Sequence, residues 1–140
     1  YIFKNENKYP GVLTLVVHTI ENTPFFIVNK KITPIKVYHH KLPVFGFRIG
    51  DFAYITDAKT IANEEVKKLD NLEVLVINAL RLEPHLSHFN LEEALAFIDR
   101  VKPKKAYLTH ISHHMGFHDD VQKTLPENVF LAYDELNISL

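Results

Sequence analysis

The spacing of apolar and polar residues divides the chain into two stretches. The first forty residues read as strands. "VLTLVVHTI" (12–20) is rich in β-branched residues, and "PFFIVN" (24–29) and "KITPIKVYHH" (31–40) follow, separated by polar or proline-containing turns. "FGFRIG" (45–50) and "FAYITD" (52–57) form the two arms of a hairpin turning at Gly50-Asp51. That order reverses the favoured Asp-Gly pair, so the turn type stays open. The pattern then changes. "NEEVKKL" (63–69) predicts a short helix, and "LEVLVINAL" (72–80) is a continuous apolar run of the kind that forms a strand buried on both faces. "NLEEALAFIDRVK" (90–102) is the clearest helix. Asn90 and Glu93 have capping-box spacing, with asparagine replacing the usual Ser or Thr, and Leu91, Leu95 and Ile98 share one face. "KKAYLTH" (104–110) predicts a strand, "HDDVQKTL" (118–125) a short helix and "NVFLAYDELNISL" (128–140) two short strands. Strands first, then strands alternating with helices, predict mixed sheets with helices packed outside, in the α/β or α+β class.

Composition narrows this picture. A chain of 140 residues, 46% hydrophobic and 24% charged, suits a single globular domain with its own core. The formal net charge of −1 offers no electrostatic case for a nucleic acid or membrane partner. Cysteine is absent, which excludes disulfides and thiolate metal sites and fits a reducing, cytoplasmic compartment. Neither a membrane-spanning run nor a signal peptide is visible. Nine histidines are an unusual number for this length.

Several of those histidines fall where α/β folds place their sites. Asp57 ends "FAYITD", His110 ends "KAYLTH", and His39 and His40 end "IKVYHH". Side chains at strand ends, followed by loops, carry function in such folds. Nitrogen and carboxylate donors suit zinc, manganese or iron, and a carboxylate can bridge two ions. Plainer readings exist for each residue. An aspartate at a strand end often serves a turn or helix cap, and a surface histidine often serves nothing. Neighbours on a strand point to opposite faces, so His39 and His40, or His113 and His114, cannot both face inward. His18 reads as a packed or surface residue. His85 and His88 precede the capped helix in "EPHLSHFNLEEA". His88 lies beside the helix start, where phosphate is favoured, but a loop histidine packed on the helix is an equal reading.

Taken together, "HHKLPVFGFRI" (39–49), "FAYITDAKTI" (52–61), "HFNLEEALAFIDRVKPKKAYLTHISHH" (88–114) and "FLAYDELNI" (130–138) resemble the C-terminal half of the metallo-β-lactamase superfamily, closest to its phosphoribosyl cyclic phosphodiesterase branch. The resemblance implies half of an αββα sandwich: a mixed β-sheet with outer helices. It implies a metal-dependent hydrolase of cyclic or small phosphodiesters, working through two divalent ions (zinc or manganese, or iron). It assigns His39 to the first metal, with His40 as the alternative, Asp57 as the bridging ligand and His110 to the second metal. His88 becomes a catalytic group beside the scissile phosphate, and His113 a residue that could line the site.

One departure matters. The superfamily's H-x-H-x-D-H motif is absent, and the only methionine is Met115. The expectation is therefore a C-terminal portion of a longer domain that holds part of the ligand set, hydrolyses little by itself, and exposes an apolar face. The missing N-terminal half or a second copy is the partner expected to cover that face. A tRNA 3′-processing-type nuclease ranks lower, because no basic surface for RNA is evident, and another hydrolase of the metallo-β-lactamase fold is a further alternative. A catalytically silent interaction half-domain is the alternative outside the enzymes.

Overall fold

The structure is a computed structural model that describes residues 16–139. Its strands are β1 (Phe25–Ile27), β2 (Lys30–His39), β3 (Leu42–Ile49), β4 (Phe52–Ile55), β5 (Thr60–Ile61), β6 (Val74–Asn78), β7 (Lys105–Thr109) and β8 (Val129–Leu131). Helices α1 (Asn63–Val66), α2 (Leu91–Val101) and α3 (His118–Gln122) interrupt them. All strands join one sheet in the order β1-β2-β3-β4-β6-β7-β8, with β5 alongside β2. The first part is antiparallel: β2 pairs β3 from Ile32↔Ile49 to His39↔Leu42, and β3 pairs β4. From β4 onward the ladder is parallel, through β6 and β7 to β8. Because β2 and β4 both run against β3, the strands β2, β4, β6 and β7 all end at the same edge of the fold.

The two faces of this sheet differ. Residues paired across strands share a face. Ala53 pairs with Leu75 and Leu75 with Ala106; Ile55 pairs with Ile77 and Ile77 with Leu108. These six are fully buried, in one cluster with Ala94, Phe97 and Ile98 of α2. Leu91 and Leu95 pack against the cluster from its margin. Asn90 caps α2 by the full reciprocal box, its side chain accepting from the Glu93 N–H while Glu93 accepts from the Asn90 N–H. The opposite face carries the register row Phe47–Tyr54–Val76–Tyr107–Phe130. Tyr54 there is 42% exposed, and Phe47, Tyr107 and Phe130 are half-buried.

Some elements differ from the sequence expectation. Residues 12–15 of the first expected strand lie outside the described residues, and 16–20 are irregular. Val16, Val17 and Ile20 are exposed there, because β-branched residues extend into a strand only beside a partner that takes their hydrogen bonds. Among the described residues the C-terminal stretch forms one strand, not two: after β8 the chain turns at Asp134-Glu135, and 136–139 run on without pairing. The Gly50-Asp51 turn resolves as well. Ile49 pairs with Phe52, and Gly50 has φ +58 while Asp51 does not have positive φ, the pattern of a type II′ turn. Among the described residues no helix is long and apolar enough to cross a membrane.

Candidate metal centre

Four loops meet where β2, β4, β6 and β7 end. His39 is the last residue of β2. Asp57 follows β4 by two residues, His110 follows β7 directly, and His88 sits in the β6–α2 connection. Asp57 (φ +57) and His110 (φ +58) both adopt left-handed backbone, which costs a residue other than glycine roughly 1–3 kcal/mol and concentrates at functional sites.

The side chains converge on Asp57. Its Oδ1 lies 3.1 Å from His88 Nε2 and 3.6 Å from His110 Nε2. The His88 ring stacks on His110 with centroids 4.7 Å apart and meets His39 edge-on at 4.6 Å. One donor atom from each of His39, Asp57 and His88 lies within 4.8 Å of the others. His88 is 8% exposed, whereas the side chains of Asp57 and His110 are each 41% exposed. The cluster thus has a buried centre and an open rim.

Buried polar contacts fix the loops. Asn78, fully buried at the end of β6, accepts from the Ala58 N–H at 2.8 Å and donates to the Ala58 carbonyl at 3.0 Å. It thereby clamps the residue after Asp57. The Phe89 N–H donates to the same carbonyl, tying the His88 loop to the Asp57 loop. Ala79 N–H donates to Thr109 O, which fixes the backbone just before His110. Lys59 binds both carboxylate oxygens of Glu93, at 2.6 and 2.8 Å, and so joins the Asp57 loop to the start of α2.

His39 rather than its neighbour enters the cluster. His40 (φ +55) is exposed in the two-residue turn between β2 and β3. His88 lies nearer to Asp57 than His110 does, so the tightest group of donors contains His88 alongside His39 and Asp57. His113 and His114 are exposed in a single 3-10 turn, their rings 3.9 Å apart. His118 opens α3 against Asp119, and His18 is exposed. Three neighbours of the cluster have no role assigned from the sequence. His85 Nδ1 is 3.2 Å from His88 Nδ1, and Ser87 Oγ is 3.1 Å from His88 Nδ1. Asn78 is the third. Its signal was present, as the one polar side chain inside the apolar run "VLVINAL".

Electrostatics separates the carboxylate from the imidazoles. Burial pushes the Asp57 carboxyl up, but the His88 hydrogen bond, the His110 charge and a Thr56 hydrogen bond outweigh it and hold the group below the ordinary carboxylate value. Burial, more than any charge, pushes His88 below the ordinary imidazole value; its bond to Asp57 opposes that, and His110 and His39 reinforce it. His85 is lowered by burial first, then by Arg81, Lys59 and His39. The lowered Asp57 keeps its carboxylate in the ligating form, and carboxylate and imidazole donors suit zinc, manganese or iron. Donors bonded to one tetrahedral ion at about 2.1 Å stand about 3.4 Å apart. The 3.6 Å between Asp57 Oδ1 and His110 Nε2 matches that spacing. The residues fit a divalent ion.

Residues 1–111 match the family described as Beta-lactamase superfamily domain. The chain is 34% identical over 138 residues to a Porphyromonas gingivalis protein named octanoyltransferase, covering 97% of this chain and 28% of that protein. It is also similar to the crystal structure of a diphosphatase from the PhnP family, at 30% identity and TM-score 0.87, covering 91% of this chain and 50% of that one. Human tRNase Z, short form, shares the fold at TM-score 0.64 and 19% identity, covering 84% of this chain and 47% of that one. The chain therefore spans at most half the length of these three relatives.

Proposed function

Because the chain belongs to the beta-lactamase superfamily domain family and has the metallo-β-lactamase fold, we propose that it supplies part of a dinuclear centre that hydrolyses cyclic or small phosphodiesters. The observation that carries this reading is the convergence of His39, Asp57, His88 and His110 on one sheet edge, with Asp57 Oδ1 within 3.6 Å of two imidazole nitrogens. The similar diphosphatase supports a phosphoryl substrate.

In this reading His39, Asp57 and His110 would hold the metal. Bound divalent ions supply Lewis acidity toward phosphoryl oxygens and lower the pKa of water. His88 acts on the substrate. Its Nε2 faces an ionised carboxylate, which only accepts, so Nε2 carries the proton. Burial keeps the ring neutral at neutral pH, where it donates a hydrogen bond from Nε2 to a phosphoryl oxygen. An anionic phosphate alongside favours the cation, and from that state Nε2 passes its proton to the leaving oxygen.

The chain alone holds these ions weakly and turns over little. A further half of the domain, or a second copy, supplies the remaining donors and covers the Phe47–Tyr54–Val76–Tyr107–Phe130 face. The diphosphatase, of which this chain matches half, supports that arrangement. Light scattering of the 140-residue chain tests it, and a stable monomer would sink it. The His88 role is tested in the complete enzyme with His88→Ala. Turnover of a cyclic phosphodiester falls about 10²–10⁴-fold with metal content unchanged; unchanged turnover refutes the assignment.

A further inference from the structure

His88 Nδ1, the ring nitrogen facing away from Asp57, meets two groups. Ser87 Oγ lies 3.1 Å from it and His85 Nδ1 3.2 Å. The Ser87 backbone N–H donates to His85 Nδ1 at 3.3 Å, so that nitrogen bears a lone pair and no proton. With Nε2 of His88 protonated toward Asp57, its Nδ1 also bears a lone pair. Two lone pairs then face each other across 3.2 Å, and among the described residues the donor within reach of His88 Nδ1 is the Ser87 hydroxyl, which lies 3.1 Å from it and 3.4 Å from His85 Nδ1.

We propose that Ser87 is a positioning residue for His88. Its hydroxyl donates to His88 Nδ1 and holds the ring in the tautomer whose Nε2–H faces Asp57 and the site. Without that hydroxyl the arrangement has an alternative: the proton moves to His88 Nδ1 and is accepted by His85 Nδ1, leaving Nε2 a bare acceptor opposite the Asp57 carboxylate. The Ser87 hydroxyl thus adds to the Asp57 carboxylate in setting which side of the ring carries the proton. The proposal rests on the catalytic reading of His88 for its consequence in turnover, but the tautomer itself is a property of the metal-free protein.

The experiment follows the two ring nitrogens of His88 by ¹⁵N NMR at neutral pH, in chelator-treated protein. Wild type, Ser87→Ala and Ser87→Thr are compared. Wild type shows the Nε2–H form in excess. Ser87→Ala lowers the ratio of Nε2–H to Nδ1–H by about five-fold, the worth of one ordinary hydrogen bond. Ser87→Thr, which keeps the hydroxyl, restores it. A ring already in the Nδ1–H form in wild type overturns the proposal. So does an alanine variant with the wild-type ratio, or a threonine variant that matches alanine. A purely structural role for Ser87 would shift melting without moving the ratio. Failure here leaves the metal reading standing, because that reading is judged by metal binding at His39, Asp57 and His110.

Discussion

At the edge of the sheet where β4, β6 and β7 begin, left-handed backbone serves the chain itself. Val28 and Gly50 turn two hairpins, Asn71 turns the chain into β6, and Lys102 closes α2 with its N–H on Ile98 O at 2.8 Å. Each has a turn or a helix end to account for it. At the opposite edge His40 turns a hairpin in the same way, but Asp57 and His110 lie in neither a hairpin turn nor a helix cap. Their conformation does something else: it brings a carboxylate and an imidazole from separate strands to 3.6 Å. The same backbone state is local economy at one edge and site construction at the other.

The sharpest way to break this contrast is to remove the aimed side chains. Asp57→Ala and His110→Ala each lower divalent-metal affinity by more than about 100-fold, beyond the 10–100-fold loss typical of residues that only support a ligand. Lys102→Ala, at the other edge, leaves it unchanged. Titration of chelator-treated protein with Zn²⁺ reads both. Equal effects at the two edges would dissolve the distinction.

Much of this layout was legible in the chain. "NLEE" announced the capping box, and "VLVIN" the strand buried on both faces, because each signal is local. Asp57, His110 and the His39-His40 pair were visible as polar residues ending apolar strands. Which of His39 and His40 enters the cluster was not, because that depends on the β2–β3 register and on the His40-Lys41 turn that closes it. The left-handed aim of Asp57 and His110 leaves no periodic mark either. It is imposed by contacts twenty or more residues away, such as Asn78 on Ala58. The overpredicted segments at 16–20 and after Leu131 fail for the converse reason: their local preference for strand finds no partner among the described residues.

Asn78 and Arg48 extend the comparison to the residues that hold each edge. Arg48 donates to the carbonyls of Gly50, Lys68 and Asp70 at the turn edge, as Asn78 serves Ala58 at the site edge. Asn78→Leu leaves the Ala58 N–H without its acceptor, at a cost of about 1–3 kcal/mol in urea unfolding. It also weakens metal binding by about 10–100-fold. Arg48→Met lowers stability by a comparable amount and leaves metal affinity intact. Loss of affinity in both variants would mean that the site senses only global stability.

Acid acts on the site edge in two stages. His88 and His85 have folded pKa values below 6.5, so the unfolded chain takes up protons first as pH falls below that value. Stability present above pH 6.5 is lost as pH falls through the folded values. Asp57 is likewise lowered, from 3.8, and its contribution, present above that pH, is lost only in stronger acid. Melting temperatures of metal-free protein therefore fall between pH 7 and pH 5, and His88→Gln makes the fall shallower. An unchanged slope in that variant would show that His88 does not set it.

The smallest effect belongs to the turn edge and has the opposite sign. Val28 and Gly50 occupy the same first position in two-residue hairpin turns, at φ +54 and +58. Glycine reaches that conformation freely, whereas a β-branched side chain strains to do so. Val28 is 95% exposed, so its side chain gains no burial in return. Val28→Gly therefore stabilises the chain by up to about 1 kcal/mol, part of the relieved strain being offset by the larger freedom of glycine when unfolded. Asp57→Gly relieves the same kind of strain, yet abolishes metal binding with it. A gain in melting temperature at residue 28 with metal affinity held, against loss of the ion and of the His88 hydrogen bond at residue 57, separates strain that a turn tolerates from strain that places a ligand.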